Sequence, residues 1–285
     1  MADADNNETA APARPRAGTT ASSAASLVAD TAACVRFFSR LPLPRTGALD
    51  DPAAPPDFSR IARAAPLAGA FVALPAAGLG LILGYSALPT LVTGFVVVAA
   101  LAAVTGALHE DGLSDTADGF FGGANPQRRL EIMKDSRIGA FGAIALVVSI
   151  GMKAALIAGL LDRFGAADAM VVLLASEAVS RAALVWQWAG LPSARPEGLG
   201  ARFGRPTGRS AATAAGLALF CALPAMLQVP LTAAALGIGA AVLAAYGIGR
   251  MAKSKIDGVT GDVLGAIQQI GALAFLLGVL GVAAT

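Results

Sequence analysis

The chain has 285 residues, of which 56% are hydrophobic and only 14% charged, where a soluble domain carries about 25% charged residues. That balance excludes an ordinary soluble globular protein, while a formal net charge of +2 singles out no partner, and no nucleic acid is expected among the ligands. Cys34 and Cys221 are too few and too far apart for a disulfide framework or a metal-ligand spacing.

Residues 1–25 are rich in Ala, Pro, Ser and Thr, include Asp3, Asp5 and Glu8, and lack the apolar run of a signal peptide. Such a composition buries too little surface to offset the entropy of ordering, which predicts a disordered tail. Residues 26–285 are expected to form one membrane-embedded catalytic domain. Its first element, 26–40, reads as an amphipathic helix with Leu27, Val28, Ala32, Val35, Phe38 and Leu41 on one stripe and Asp30, Arg36 and Arg40 off it. Too short and polar to span, it is expected to lie on the membrane surface. A Pro-rich loop follows over 41–56.

About 20 apolar residues cross a bilayer core. No charge occurs over 64–108, long enough for two crossings, nor over 210–249, another pair, nor over 263–285. The predicted fold is therefore an all-α polytopic membrane protein of about seven spans, at roughly 66–87, 89–108, 138–160, 167–190, 210–228, 231–249 and 263–284. Threaded in order, these spans leave 109–137, 191–209 and 250–262 on the side of the N-terminus. Those segments hold Arg128, Arg129, Lys134 and Arg137, then Arg195, Arg202, Arg205 and Arg209, then Arg250, Lys253 and Lys255, whereas the opposite turns offer only Arg163. The positive-inside rule puts the three charged segments in the cytoplasm.

Polar chemistry is concentrated there. In His109-Glu110-Asp111-Gly112-Leu113-Ser114-Asp115-Thr116-Ala117-Asp118-Gly119, a helix would set Asp111, Asp115 and Asp118 within about 60° of one another. Three such carboxylates repel, and oxygen-only ligands at this spacing suit Mg²⁺, which keeps several waters and bridges carboxylates to substrate phosphates. His109, the only histidine, points about 160° from Asp111, which favours a structural place over service as a general base. Just downstream, Arg128, Arg129, Lys134, Asp135 and Arg137 form a cluster whose cations are natural phosphate clamps; a plain topology signal is the other reading. Carboxylates and cations together at one membrane face argue for a diphosphate substrate held by Mg²⁺, and the residues alone reach no further than a membrane transferase of that kind.

The run from His109 to Gly119 resembles the H-x-D-G-x-x-D-x-x-D-G signature of cobalamin synthases, the adenosylcobinamide-GDP ribazoletransferases. Arg129-Leu130-Glu131-Ile132-Met133-Lys134-Asp135-Ser136-Arg137-Ile138-Gly139 is similar to the same family's R-x-x-I-M-(K/R)-D-S-R-x-G, and Gly258-Val259-Thr260-Gly261-Asp262-Val263-Leu264-Gly265-Ala266 to its G-x-T-G-D-x-L-G-A. Phe38-Ser39-Arg40-Leu41-Pro42 also fits, and the resemblance covers residues 35–285. It implies that adenosylcobinamide-GDP and α-ribazole, or its 5′-phosphate, give adenosylcobalamin, or its 5′-phosphate, and GMP. It also implies a bacterial inner-membrane location and leaves room for a homo-oligomer or a complex with other corrinoid-pathway enzymes. Where many members carry glutamates after the last motif, this chain has Gln269 and Ala272, so roles of those glutamates do not transfer.

The remaining residues keep two readings each. Asp262 either caps the last span or acts as a ligand or base. Glu177 and Arg181 can pair at i, i+4 within a span, as a structural unit or a functional one. Arg202 to Pro206, including Arg205, forms a basic loop that takes the guanosine phosphate or nothing. Lys153 is expected to snorkel, Trp186 and Trp188 to sit in an interfacial belt, and the abundant Gly and Ala to serve close helix packing. A CDP-alcohol phosphatidyltransferase shares the diphosphate logic, but Asp111-Gly112 is followed by Leu113-Ser114-Asp115-Thr116 without the required Ala-Arg. A transporter would place its polar groups near the midplane in broken helices and not outside the hydrocarbon.

Overall fold

The computed structural model describes residues 23–282, so positions 1–22 of the expected tail lie outside the described residues and 23–25 open the first helix. The elements are α1 (Ser23–Phe38), α2 (Phe58–Ile61) with a single 3₁₀ turn after it, α3 (Ala65–Gly84), α4 (Thr90–Thr105), α5 (Leu108–Gly122), α6 (Pro126–Ile132), α7 (Ala140–Gly190), α8 (Leu199–Phe203), α9 (Gly208–Gln228), α10 (Leu231–Ile256) and α11 (Gly261–Leu280). Among the described residues no strand forms, only one parallel bridge between Ser193 and Val259.

Five of these helices are long and apolar enough to cross a membrane, six spans when the bent pair α4 and α5 counts as one. The 51-residue α7 supplies the seventh, because its backbone leaves helical geometry at Gly165 (φ 78°, ψ 171°). Positive φ of this kind is open to glycine at little steric cost. Lys153 and Glu177, twelve residues on either side of Gly165, lie 3.2 Å apart, where an unbroken helix would separate them by about 36 Å. The two arms of α7 therefore fold back on each other as successive crossings.

The turn between α4 and α5 is as sharp. Gly106 and Ala107 both adopt left-handed backbone (φ 65° and 56°), and α5 leaves α4 at 93°. The pair is thus a span broken at Gly106–Ala107, with α5 turned sharply away from the direction of α4. Close packing elsewhere relies on small residues as expected. A Cβ on Gly278 of α11 would lie 2.7 Å from Gly237 of α10, so these two helices meet backbone to backbone.

Three expectations change in the folded chain. Lys153 does not snorkel but is buried, bonding Glu177 at 3.2 Å, while Arg181 bonds the same carboxylate at 2.6 Å and Gln268 of α11 at 2.9 Å. A charge buried in apolar surroundings is held only with partners, and Glu177 serves both cations. Trp188 is likewise buried, tilted against Phe58 with ring centroids 4.8 Å apart, and only Trp186 stays half-exposed beside Tyr246. On α1, Asp30 is fully buried instead of off the packed face. Arg63 and Arg60 reach it at 2.7 and 3.2 Å, while Val28 of the expected apolar stripe is exposed.

Candidate active site

The site is built where α5, the α6 segment, the 191–203 segment and the start of α11 converge at one end of the bundle. Gly112 of α5 lies against Asp262, so a Cβ there would come 2.7 Å from the Asp262 carbonyl oxygen, and Gly265 of α11 faces His109 and Gly112 in turn. The 191–198 loop is stapled to the entry of α11 by two backbone bonds, Ala194 N–H to the Val259 carbonyl (3.0 Å) and Val259 N–H to the Pro192 carbonyl (2.9 Å). Gly258 permits that contact, since a Cβ on it would collide with the Pro192 carbonyl. Between these walls opens a cleft of about 740 Å³, whose lining includes Glu131, Lys134, Arg195, Glu197, Arg202 and Asp262. All three charged segments thus reach one cavity.

Thr260 removes the capping reading of Asp262. Its hydroxyl accepts the Val263 N–H at 3.3 Å and caps α11, so Asp262 is not the cap; Thr260 Oγ1 instead donates to Asp262 Oδ2 at 3.1 Å. The Asp262 carboxylate is left facing the cleft.

The three aspartates of α5 share a face yet meet three environments. Asp111 is exposed and Asp115 half-buried, whereas Asp118 is buried with both oxygens engaged: Oδ2 accepts the Gly139 N–H at 2.7 Å and Oδ1 the Gly142 N–H at 2.8 Å. Gly139 stands at the N-cap of α7 and has no side chain to satisfy the first-turn donors, so Asp118 caps that helix from outside. Burial, then the like charges of Asp111, Asp262 and Asp118, push the Asp115 carboxyl up to about 7, with Arg195 opposing. Asp262 therefore stands in the same acidic cluster as Asp111 and Asp115. Among the described residues, no three or more His, Cys, Asp or Glu side chains are grouped as a metal shell by themselves.

His109 is buried away from the cleft, stacked on Phe38 with ring centroids 5.8 Å apart; the Arg181 guanidinium also lies 5.8 Å from the Phe38 ring. Glu110 is buried and accepts the Gln269 amide at 2.9 Å. A glutamate at 269 would instead confront Glu110 with a second carboxylate.

The expected phosphate-binding cations are largely committed elsewhere. Arg129 donates to the carbonyls of Gly123 and Lys255 (3.0 and 2.9 Å), and Arg205 to those of Trp188 and Ala189 (3.3 and 2.8 Å). Arg128 pairs with Glu131 at 3.0 Å, and Arg137 with Asp135 at 2.6 Å on an exposed turn. Lys134 is the member of that predicted set that lines the cleft. Arg195, which the sequence offered only as a topology signal, lines it too, with Nη2 3.7 Å from Asp262 Oδ2. Nothing local distinguishes this arginine in the sequence; its place depends on the pairing of Pro192 and Ala194 with Val259.

Residues 30–280 match the family described as Cobalamin-5-phosphate synthase. The chain belongs to that family. Relatives of Brucella canis and Brucella melitensis named adenosylcobinamide-GDP ribazoletransferase are each 46% identical to it over 257 residues, covering 89% of this chain and 97% of theirs. A relative of the same name in Brucella anthropi is 46% identical over 263 residues, covering 90% and 97%. No solved structure matches. For this member of the cobalamin-5-phosphate synthase family, two of the resembling segments, at α6 and the entry of α11, line one cleft, and the third, on α5, carries the acidic cluster packed against Asp262.

Proposed function

We propose that this chain is a transferase of the bacterial cytoplasmic membrane that joins adenosylcobinamide-GDP to α-ribazole, or to α-ribazole 5′-phosphate. The products are adenosylcobalamin, or its 5′-phosphate, and GMP, which is the last assembly of the cobalamin nucleotide loop. The observation that carries the reading is an acidic cluster standing beside a cleft that presents Lys134, Arg195 and Arg202, at the bundle end where the family's segments meet. The relatives' shared name supplies the substrate class. By the positive-inside rule that end faces the cytoplasm, where nucleotide substrates are found.

The residues present fit Mg²⁺. Asp111 and Asp115 carry crowded like charges that no cation among the described residues pairs directly, and an ion that keeps waters and shares substrate phosphates needs only one or two carboxylates. Asp111 and Asp115 would hold it, with Asp262 alongside and Asp118 left to its capping work. When bound, Mg²⁺ neutralises diphosphate charge and favours in-line displacement. The chain does the rest. Asp262 receives the proton of the attacking ribazole 3′-hydroxyl, whose oxygen bonds to the cobinamide-side phosphorus. The bond from that phosphorus to the bridging oxygen breaks, and GMP leaves with the electron pair while cations of the cleft hold its growing charge.

The test is direct. Purified protein with adenosylcobinamide-GDP, α-ribazole and Mg²⁺ should release GMP and form the corrinoid product together. Absence of both refutes the reaction, and full turnover under a chelator refutes the metal.

A further inference from the structure

We propose that Arg195 grips the diphosphate of the nucleotide-linked substrate, an assignment that rests on the function proposed above. Its guanidinium occupies the vertex of the cleft, between α6, the 191–198 loop and the start of α11. Nη2 donates to the Leu130 carbonyl at 3.2 Å on one side and stands 3.7 Å from Asp262 Oδ2 on the other, too long for a hydrogen bond. Its Nε is shut off from solvent and meets no acceptor among the described residues. A guanidinium has five N–H donors in a planar fork, shaped to bind phosphate oxygens in pairs. Here the guanidinium lines the cleft with a single hydrogen bond, to the Leu130 carbonyl, drawn from its Nη end.

Arg202 shares the cleft lining, while four other arginines of the charged segments are engaged elsewhere. Arg129 and Arg205 are turned to backbone carbonyls, and Arg128 and Arg137 to carboxylates on the exterior. Arg195 also stands 3.7 Å from Asp262, and its charge bears on Asp115, one of the two carboxylates that would hold Mg²⁺. A diphosphate bridging that cation and Arg195 would meet positive charge from two sides. The loop comes ready placed, because Ser193 and Val259 are bridged and the Ser193 hydroxyl donates to the Arg195 carbonyl at 2.7 Å. Little ordering is then lost when ligand binds.

The probe is GDP, titrated with Mg²⁺ against the full-length protein in nanodiscs, beside thermal unfolding of the same samples. Arg195→Ala should weaken GDP binding on the order of 10- to 100-fold, the scale of a lost charge-assisted contact. Arg195→Lys, which restores charge without the fork, should recover part of it, and free guanidinium should restore binding to Arg195→Ala. GDP binding by Arg195→Ala within about twofold of wild type overturns the assignment. So does a loss that follows a lowered melting temperature and that guanidinium fails to repair, which would make Arg195 a brace for Leu130. Wild-type protein that neither binds GDP nor releases GMP refutes the proposed function itself.

Discussion

Asp118 and Asp115 lie one turn apart on α5, and replacing each by asparagine should have opposite consequences. Asp118 holds two backbone N–H groups of the α7 entry at 2.7 and 2.8 Å in a buried setting. Hydrogen bonds to a charged group contribute about 1.5–3 kcal/mol each. Asparagine keeps one acceptor oxygen and turns an amide N–H₂ toward the second backbone donor, so one bond is lost and a buried donor is orphaned. Asp118→Asn should therefore cost about 2–4 kcal/mol, with a melting temperature several degrees lower in detergent or nanodiscs. Asp115→Asn keeps the shape and removes one of the like charges that Asp111 and Asp262 crowd. It should melt at or above wild type, yet release GMP slower on the order of 10²-fold, partly restored by raised Mg²⁺. An Asp118→Asn protein with wild-type melting and lost turnover would return Asp118 to the metal site and refute the division made here. Normal turnover of Asp115→Asn would remove that residue from the chemistry.

Glu177→Gln leaves Lys153 and Arg181 buried without their shared anion and should cost about 3–5 kcal/mol; wild-type melting of that variant would show the three groups to be independent. Ala107 holds a left-handed conformation that costs an L-residue roughly 1–2 kcal/mol, so Ala107→Gly should raise the melting temperature slightly; a lower one means the bend has no strain to release. Cysteines placed at the exposed positions Ala124, Ser193 and Ser254 should react with an impermeant reagent only from the cytosolic side, and labelling in intact cells from outside would overturn the orientation.

Much of the fold was legible because it depends on segment-scale quantities. Apolar length and the side on which arginine and lysine collect need no knowledge of packing, and they led to seven crossings with three charged segments together. The α7 hairpin was legible in the same way, since Asp162, Arg163 and Asp168 interrupt the apolar run around Gly165. Individual polar residues were less legible. Whether Lys153 reaches water or Glu177 depends on how two arms meet, and helical periodicity is blind to a partner 24 positions away.

The site divides along the same line. The sequence by itself determined that carboxylates and cations would meet at one membrane face, through three motifs whose residue types are those of diphosphate chemistry. Only the tertiary structure decided which of them are already held by other groups of the protein. It turned Asp118 to the backbone of α7, relieved Asp262 of capping by giving that task to Thr260, and drew Arg129 and Arg205 to carbonyl oxygens. It also carried Arg195 into the cleft, through a loop pairing that no local pattern announces. The physical reason is that a side chain's charge is a property of its residue, whereas its availability depends on which unsatisfied donors and acceptors the fold brings within about 3 Å.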